Sequence, residues 1–510
     1  MVAVDLPPYL LLPLLVIPFV FLALSRRKDP QQRLRLPPAP WALPVIGHIH
    51  HLAGGAPPHR ALRDLARRHG QLMMLRFCEL TVVVASSPAA AREILKTHDV
   101  TFASRPVGPM LELAFQSANG VIFAPYGEGW RQLRKICAVE LLSSRRVHSF
   151  FPVRDHELRR LLRSVASAAA AARTPVNLTS GLKAFAADST VRAIIGGRSE
   201  HRDAFLRLLE EALKIIPGMT LPDLFPSSRL AMMLSRVPRK VKQRRDGMLA
   251  IIDPIIQEHQ DRRAAGVDDE DEDLLDVLLR LQEDMDFQEP LTTANIKSVI
   301  GDLFGAGSDT TATTLLWAMA ELMRNPAVMR KAQDEVRSAL AGAGHDKVTE
   351  DILAGLHYLR QVIKETLRLH PPAPLLLPRE CRSSCQVLGY DVPRGAMVLV
   401  NAWAIGRDPA HWEKPEEFVP ERFESNGRDF KGMDFEFIPF GAGRRMCPGM
   451  AFGLAHVELA LAALLWHFDW ELPDGMVPEE MDMAEAVALS APPRSDLVLV
   501  AIPRMPVPMD

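Results

Sequence analysis

A single cysteine near the carboxyl end of the chain has a setting that suits a metal ligand. Cys447 lies in the sequence F-G-A-G-R-R-M-C-P-G, residues 440–449, directly before an apolar helical pattern. The glycines allow the backbone to turn tightly, to approach a flat cofactor and to point N–H groups at the sulfur. Arg444, Arg445 and the helix start expected near 448–450 add positive charge, which stabilises a thiolate. The pattern predicts a thiolate metal ligand; the alternative is a core cysteine in a glycine-rich turn.

A second group of reactive side chains interrupts a helical pattern predicted over about 293–324. The run A-G-S-D-T-T at 306–311 weakens a helix, since Gly costs about 1 kcal/mol and Ser and Thr hydroxyls compete for backbone carbonyls. Asp309 and Thr310 offer an acid and an alcohol, which suit proton delivery. The alternative interpretation is that small residues permit close packing against a neighbouring helix.

Two further pairs of residues stand at helical spacing. Trp130 and Arg134 form a W-x-x-x-R pattern, which places an indole N–H and a guanidinium on one side of a helix. Glu365 and Arg368 lie three residues apart on a helix predicted over about 351–369, where the spacing alone predicts an ordinary surface ion pair. The W-x-x-x-R pattern alone is typical of a buried tryptophan beside a solvated arginine.

The composition excludes some classes of protein. The 510 residues are 48% hydrophobic and 24% charged with a net charge of −2, which is ordinary for a globular chain with a large core. No nucleic-acid partner is expected at this charge balance. The five cysteines are an odd number without disulfide-framework spacing, as expected in a reducing compartment. Cys381 and Cys385 lack a second Cys/His pair, so we interpret them as incidental.

The amino-terminal segment predicts a membrane anchor. Residues 6–24 form an uncharged, mostly aliphatic stretch of about 19 residues, close to the roughly 20 that span a bilayer. Arg26, Arg27 and Lys28 follow it, which predicts a luminal amino terminus and a cytosolic body by the positive-inside rule. A cleaved signal peptide would carry its positive charge first. A buried soluble helix or a re-entrant segment is the alternative.

The rest of the chain divides into a hinge and one large domain. Prolines in the segment 36–47 fix φ and disfavour helix, which predicts a stiff connector; a proline-rich ligand for a partner domain is the alternative. We therefore expect an anchor with its basic flank at 1–28, a proline-rich hinge at 29–47 and a single domain at 48–510. This domain is predicted to be mainly α with small β-sheets, with strands over 72–78, 81–85, 396–402 and 497–501.

In their order along the chain, these motifs resemble the cytochrome P-450 family. The F-x-x-G-x-R-x-C-x-G segment around Cys447, the A-G-x-D-T-T run, K-E-T-L-R at 364–368 and P-E-R-F at 420–423 each match a family motif. The sequences H-P-P-A-P at 370–374 and N-A-W-A-I-G-R-D-P at 401–409 look like those of the large plant-specific microsomal group of specialised metabolism. The resemblance implies a helical prism that encloses haem b, with Cys447 as the axial ligand of the iron.

The resemblance also implies roles for the other candidates. Asp309 and Thr310 would deliver protons during O2 activation. Arg422 would join Glu365 and Arg368 in a buried network that braces the segment before the thiolate. The remaining implied cofactor-binding residues are Trp130, Arg134 and Arg445 at the haem propionates, Arg379 as a further candidate there, and Phe440 in the cysteine loop.

The implied substrate contacts are mostly apolar. The contact regions would be 107–123, the helix face with Asp302, 373–377 and 487–489. The contact residues implied are Ala306, Ala373, Leu377 and Val487. Apolar contacts with few fixed polar partners favour a hydrophobic, terpenoid-like substrate, with an indole or phenylpropanoid type as the alternative.

The implied reaction inserts one oxygen atom from O2 into a C–H or C=C bond. Its electrons would come from NADPH through cytochrome P-450 reductase, with cytochrome b5 as a further candidate partner. Arg131, Lys135 and Arg444 would form a basic patch for an acidic reductase; solvated surface charge is the alternative. The implied location is the endoplasmic reticulum membrane, with a single span and a cytosolic catalytic domain.

Two other functions are open at the level of the sequence. A haem-thiolate isomerase or dehydratase would rearrange an oxygenated substrate without a reductase, and it would not need the Asp309–Thr310 pair. A non-enzymatic haem sensor would have a second axial ligand, and no His or Met stands beside Ala306 in the sequence to supply one. The sequence therefore favours the monooxygenase.

Overall fold

The structure is a computed structural model of the chain. It describes residues 34–115, 120–170, 174–197, 220–266, 272–283, 289–344, 347–425, 427–486, 488 and 490–507. The predicted anchor at 1–28 lies outside the described residues, and so does Val487 among the predicted substrate contacts.

Helices form most of the described molecule. In chain order the α-helices are α1 (Pro58–His69), α2 (Pro88–Arg92), α3 (Pro109–Phe115), α4 (Glu128–Ile136), α5 (Ser144–Ser149), α6 (Phe151–Ala170), α7 (Leu178–Ile195), α8 (Leu221–Leu224), α9 (Arg229–Leu234), α10 (Val237–Ala264), α11 (Leu274–Glu283), α12 (Thr293–Arg324), α13 (Pro326–Ala343), α14 (Glu350–Gly355), α15 (His357–Leu369), α16 (Ala402–Ile405), α17 (Arg422–Ser425) and α18 (Met450–His467). The prediction of a single helix over 351–369 is wrong in one respect. The structure has two helices there, α14 and α15, because Leu356 between them has a non-helical ψ of 84°.

Small sheets contain the strands. The strands are β1 (Leu72–Phe77), β2 (Leu80–Ala85), β3 (Val176–Asn177), β4 (Arg379–Glu380), β5 (Cys385–Val387), β6 (Tyr390–Val392), β7 (Met397–Val400), β8 (Phe468–Glu471) and β9 (Val498–Pro503). One sheet has the order β1-β2-β7-β4, a second has the order β3-β9-β8, and β5 pairs with β6. In the first sheet β2 and β7 run parallel. The four predicted strands are confirmed as β1, β2, β7 and β9, with ends that differ by at most two residues.

The longest described helix, α12, crosses the core. It has the bounds that the sequence predicts, and the side chain of Thr292 caps its start by accepting a hydrogen bond from the N–H of Asn295. Every residue from 311 to 323 is buried, so this half of the helix is enclosed on all sides. A Cβ at Gly307 would lie 3.1 Å from Cγ2 of Thr190 on α7, so the packing interpretation of the small-residue run holds at Gly307.

Directly after Cys447, α18 forms a second core helix. Among the described residues it is the one helix long and apolar enough to cross a membrane, and 67% of its apolar stretch is buried within the protein. It packs against α12, α13 and α6. Its apolar composition is therefore explained by packing inside the protein, and this packing brings the start of α18 close to α12.

The described end of the predicted hinge lies against the first sheet. The N–H of Met74 donates to the carbonyl of Pro38 at 3.0 Å, and the N–H of His48 donates to the carbonyl of Arg76 at 2.7 Å. Backbone hydrogen bonds to β1 thus fix the direction in which the chain enters the domain.

Candidate functional site

The cysteine loop, residues 440–449, is held by its own backbone and by a neighbouring segment. The N–H of Cys447 donates to the carbonyl of Phe440 at 3.0 Å, and the N–H of Gly449 donates to the Cys447 sulfur. Gly443 has a φ of +71°, and a Cβ there would lie 2.1 Å from the carbonyl oxygen of Leu95. Only glycine fits at this position, for both reasons.

The Cys447 side chain faces a space inside the protein. The residue is exposed, yet protein atoms surround it so closely that burial raises the pKa of its thiol, while the Gly449 N–H and the Arg134 guanidinium lower it. Both facts hold because the sulfur lines an internal space rather than the outer surface. On α12, Ala306 is likewise exposed although nearby Phe304 is buried. Cys447, the predicted metal ligand, and Ala306, a predicted substrate contact, are therefore both accessible within the fold.

Four arginines gather beside the cysteine loop. Arg105, Arg379 and Arg445 are buried and Arg134 is half-buried. Burial, with repulsion from the neighbouring guanidinium groups, lowers the pKa of Arg445 to about 9 and that of Arg379 to about 10, and it lowers the pKa of Arg105 as well. The nearest carboxylate is that of Asp99, 3.5 Å from Arg379. An anionic group bound among these side chains would relieve their repulsion.

Arg445 and Trp130 hold two segments of the backbone together by hydrogen bonds. Arg445 donates to the carbonyls of Ala103, Val121 and Ala124, and the indole N–H of Trp130 also donates to the Val121 carbonyl, at 2.9 Å. The Arg445 guanidinium lies over the Trp130 ring, 4.0 Å from its centroid. The segment that leads into α4 is therefore fixed to the cysteine loop through Arg445.

Two more guanidinium groups donate hydrogen bonds to the cysteine loop. Arg134 donates to the carbonyl of Met446, and Arg379 donates to the carbonyl of Ala442 at 2.9 Å. Trp130, Arg134, Arg379 and Arg445, all predicted as cofactor-binding residues, thus lie around one part of the loop.

Arg105, the fourth member of the cluster, is not among the residues predicted from the sequence. Its guanidinium donates to the carbonyls of Ile122 at 3.1 Å and Leu377 at 2.7 Å. It lies in an irregular segment between α2 and α3, so no helical or strand periodicity marks it. An Arg-Pro dipeptide is the one local signal, and it is too common to assign a role.

Asp309 and Thr310 are neighbours in α12, but their side chains have different partners. The Thr310 hydroxyl donates to the carbonyl of Ala306 at 2.6 Å, and the Asp309 carboxylate accepts a hydrogen bond from the Ser490 hydroxyl. Successive residues of an α-helix point about 100° apart, which explains this separation. A proton can pass between the two groups only through a bridging molecule or after a side-chain rotation.

Asp302 differs from its predicted place on a substrate-facing side of α12. Its Oδ2 accepts hydrogen bonds from the N–H groups of Val121 at 2.6 Å and Ile122 at 2.9 Å, and the residue is 6% exposed. Burial raises the pKa of this carboxyl to about 6, although the two N–H groups and Arg445 act to lower it. Asp302 therefore fixes the segment before α4, and its carboxylate is engaged by backbone.

Glu365, Arg368 and Arg422 form one buried network. The side chains of Glu365 and Arg368 have no exposed surface, and two hydrogen bonds of 2.8 Å join them. Arg422 donates to the same carboxylate at 2.9 Å, and Arg368 also donates to the carbonyls of Gly406 and Pro415 at 2.7 Å. The interpretation as a surface ion pair is therefore wrong. The network joins α15 to the segment that precedes the cysteine loop.

The other predicted residues are less strongly constrained. Phe440 packs edge-on against Phe430, with ring centroids 5.2 Å apart. Ala373 and Leu377 are half-buried in the segment that follows α15.

The three residues of the predicted basic patch are all exposed. Arg131 pairs with Glu128, and Arg444 lies 3.4 Å from Asp99. Lys135 stands one helical turn after Arg131 on α4. The patch is therefore accessible to a partner, although two of its charges already have intramolecular counter-ions.

The donor set fits a planar, anionic cofactor whose metal binds a thiolate. An accessible cysteine sulfur with its own N–H donor, a cluster of guanidinium groups for acidic substituents and an accessible alanine on α12 match haem with its two propionates. These features define the class of haem-thiolate proteins.

Comparison with known proteins agrees with this class. The family model for cytochrome P450 matches residues 37–499, and the chain belongs to the cytochrome P450 family. The chain is 50% identical to ent-isokaurene C2/C3-hydroxylase of Oryza sativa subsp. japonica, with 90% of this chain and 91% of that protein covered. It is 44% identical to premnaspirodiene oxygenase of Hyoscyamus muticus, with 96% and 97% covered. A solved structure of a zebra fish cytochrome P450 with abiraterone superimposes with a TM-score of 0.71 at 25% identity, over 88% of this chain and 100% of that one.

Several predictions are thereby confirmed. The fold is the mainly helical cytochrome P450 fold, the cofactor is haem iron, and the protein is an oxidoreductase of the P450 monooxygenase type that uses O2 and a redox partner.

Proposed function

We propose that this protein is a membrane-anchored monooxygenase that hydroxylates or epoxidises a terpenoid-like plant metabolite with electrons from NADPH. The observation that carries the proposal is the accessible Cys447 sulfur, held in a closed loop beside four clustered guanidinium groups. Ent-isokaurene C2/C3-hydroxylase and premnaspirodiene oxygenase are relatives that oxidise terpenoids, which supports this substrate class.

Haem, when bound, supplies the activation of O2 and the oxidising power of the reaction. Cys447 would bind the iron, and the Gly449 N–H would stabilise the negative charge on the sulfur. Arg105, Arg134 and Arg445 would neutralise the propionates. The hydroxyl of Thr310 and the carboxylate of Asp309 on α12 would hold the protons that the reduction of O2 consumes.

The chain's own side chains also exclude charged substrates. Ala306, Ala373 and Leu377 offer dispersion contacts, and the nearby carboxylate of Asp302 is already engaged by two backbone N–H groups. A hydrophobic substrate loses little hydration on entry to such a site, whereas a charged one would lack a partner.

The redox partner we propose is NADPH-cytochrome P450 reductase, with cytochrome b5 as a second donor. Arg131, Lys135 and Arg444 provide an exposed basic surface close to the cysteine loop, which suits an acidic flavoprotein. We further propose a single-pass anchor at residues 1–28 in the endoplasmic reticulum membrane.

The first test is the reduced, carbon-monoxide-bound difference spectrum of the protein in microsomes, followed by turnover with reductase. A red-shifted Soret band that Cys447→Ser abolishes is the expected result. NADPH-dependent oxidation of ent-isokaurene or premnaspirodiene is the expected activity. Rearrangement of an oxygenated terpenoid without NADPH would support the isomerase instead, and a folded protein without the band would contradict the thiolate assignment.

Thr310→Ala tests the proton-delivery role. We expect NADPH consumption to continue while product falls by about tenfold and hydrogen peroxide release rises, because the general acid–base contribution at such a site is typically 10²–10⁴-fold and bridging water retains part of it. Thr314→Ala is the control, since its hydroxyl donates to the carbonyl of Thr310 one turn further along α12. If Thr310→Ala forms as much product per NADPH consumed as the wild type, Thr310 does not have the proposed role.

A further inference from the structure

The described stretches 482–486 and 490–495, together called the contact loop because they flank the substrate contact that the resemblance implies at 487–489, are joined to each other. The N–H of Ala486 donates to the carbonyl of Pro492 at 2.8 Å, and the N–H of Arg494 donates to the carbonyl of Ala484 at 2.8 Å. These bonds join the two arms of the loop near its base.

An ion pair fixes one arm of the contact loop to α1. Glu485 accepts a hydrogen bond from Arg60 at 2.8 Å and lies 2.9 Å from His59, and its side chain is only 1% exposed. His59 and Arg60 lower the pKa of Glu485 to about 2 against the opposing effect of burial. The base of the loop is therefore anchored independently of α12.

Two neighbouring residues of the other arm bind α12. The hydroxyl of Ser490 donates to the carboxylate of Asp309, and the indole N–H of Trp317 donates to the carbonyl of Ala491 at 2.7 Å. Asp309 and Trp317 are about two helical turns apart, so they project from the same side of the helix. The contact loop thus reaches α12 at the acid of the proton-delivery pair.

We propose that Ser490 is a positioning residue that orients the Asp309 carboxylate and couples it to the position of the contact loop. This inference rests on the proposed function, because it requires that Asp309 takes part in proton delivery. Thr310 is already bound to the Ala306 carbonyl, so Asp309 is the member of the pair whose orientation depends on another segment. A substrate that moves the contact loop would move this carboxylate with it.

Because Ser490 is buried, its hydroxyl can determine the orientation of the Asp309 carboxylate. The residue is 4% exposed, whereas Asp309 is half-buried. A buried hydroxyl that loses its acceptor is left unsatisfied, so the bond to Asp309 is retained in the folded protein. Without the Ser490 hydroxyl, the carboxylate is free to rotate toward water.

Ser490→Ala in the full-length, haem-loaded protein is the test, and Ser495→Ala is its matched control. Ser495 lies in the same loop, and its hydroxyl also donates to a carboxylate, that of Asp482 at 2.6 Å, but at an exposed position. Two quantities are measured: product formed per NADPH with whichever of ent-isokaurene and premnaspirodiene the wild type oxidises, and amide hydrogen exchange of the contact loop without substrate.

We expect Ser490→Ala to lower product per NADPH by about threefold or more. Amide exchange at residues 490 and 491 should rise by about tenfold, as the loss of a hydrogen bond to a charged group implies. Ser490→Thr, which restores a hydroxyl, should recover both values. In the Asp309→Asn background the further loss on adding Ser490→Ala should be small, since the two residues act as one unit.

Two results would overturn the inference while the monooxygenase activity stands. One is a Ser490→Ala protein whose product per NADPH and amide hydrogen exchange equal those of Ser495→Ala. The other is a loss of coupling that is equally large in the Asp309→Asn background, since Ser490 would then act through another group. Failure of the proposed function itself is distinguishable, because the wild type would then lack the red-shifted Soret band or NADPH-dependent product.

Discussion

Buried charge determines what individual residues of this site can do. The guanidinium groups of Arg105, Arg379 and Arg445 lie together with few carboxylates, an arrangement that costs free energy unless an anion joins it. Asp302 is the opposite case, a buried carboxylate whose two hydrogen bonds come from backbone. The first group suits the binding of an anionic cofactor, and Asp302 fixes the segment before α4.

At Asp302 we expect a pH-dependent contribution to stability. The pKa of the Asp302 carboxyl is about 6 in the folded protein, whereas an unperturbed aspartate has a pKa of 3.8. The folded protein therefore holds this proton more tightly than the unfolded chain. Stability from this residue is therefore present at low pH and is lost as the pH rises from about 4 to about 6, by about 3 kcal/mol in total.

Asp302→Asn provides the comparison, because it retains an acceptor for Val121 and Ile122 without the charge. Relative to this variant, the wild type should lose stability across that pH range, as measured by denaturation midpoints. Curves that stay parallel over this range would contradict the raised pKa. Asp302→Ala, which leaves both N–H groups unsatisfied, should be less stable than Asp302→Asn at every pH.

At the scale of elements, the cysteine loop depends on one glycine for its approach to the segment that contains Leu95. Gly443→Ala would combine the strain of a positive φ with a Cβ 2.1 Å from a carbonyl oxygen. We expect this variant to lose most of its bound haem, because the clash displaces the loop that carries Cys447.

The matched control for this prediction is Gly475→Ala. Gly475 has the same φ of +71°, but nothing lies within 4 Å of a Cβ built there. Its replacement should cost only the conformational strain, about 1–2 kcal/mol, with full haem content. Haem per polypeptide, measured from the pyridine haemochrome, separates the two cases; equal losses would assign the effect to φ alone.

The elements with local signals could be predicted from the sequence, and the contacts between them could not. Both ends of α12 follow from capping residues and a proline, which act over a few positions. Asp302 has no such signal, because its partners Val121 and Ile122 are far away in sequence. Arg105 and Ser490 were missed for the same reason: each gains its role from a segment that only the folded chain brings near.

The splitting of the helix predicted over 351–369 is a smaller example of the same limit. Its apolar spacing continues through Leu356, so periodicity alone predicts one helix. Leu356 is 1% exposed in the structure, and its ψ of 84° interrupts the helix directly after Gly355. The apolar spacing alone does not carry this interruption.

At the scale of the whole molecule, large apolar side chains are exposed in two regions, the hinge and α9. Trp41 in the hinge is 65% exposed, and Met233 and Leu234 of α9 are 81% and 70% exposed. Hydrogen bonds connect the two regions through the first sheet: the N–H of Cys78 donates to the carbonyl of Ile46, and Ser227 binds Glu79. Exposed apolar area of this kind, which includes Trp41 in the hinge that follows the predicted anchor in the sequence, suits contact with a lipid surface.

We therefore expect that deleting residues 1–25 releases the protein from membranes only in part. Adding Met233→Glu and Leu234→Lys to the truncated protein should release most of the remainder, because charge at these positions removes the favourable burial of apolar area in lipid. Co-sedimentation with vesicles of plant microsomal lipid composition measures the bound fraction. Met433→Glu is the control, since Met433 is 61% exposed and belongs to neither the hinge nor α9. Complete release by the deletion alone would assign membrane binding to the anchor, and equal release by Met433→Glu would show that replacing any exposed apolar side chain with a charged one has the same effect.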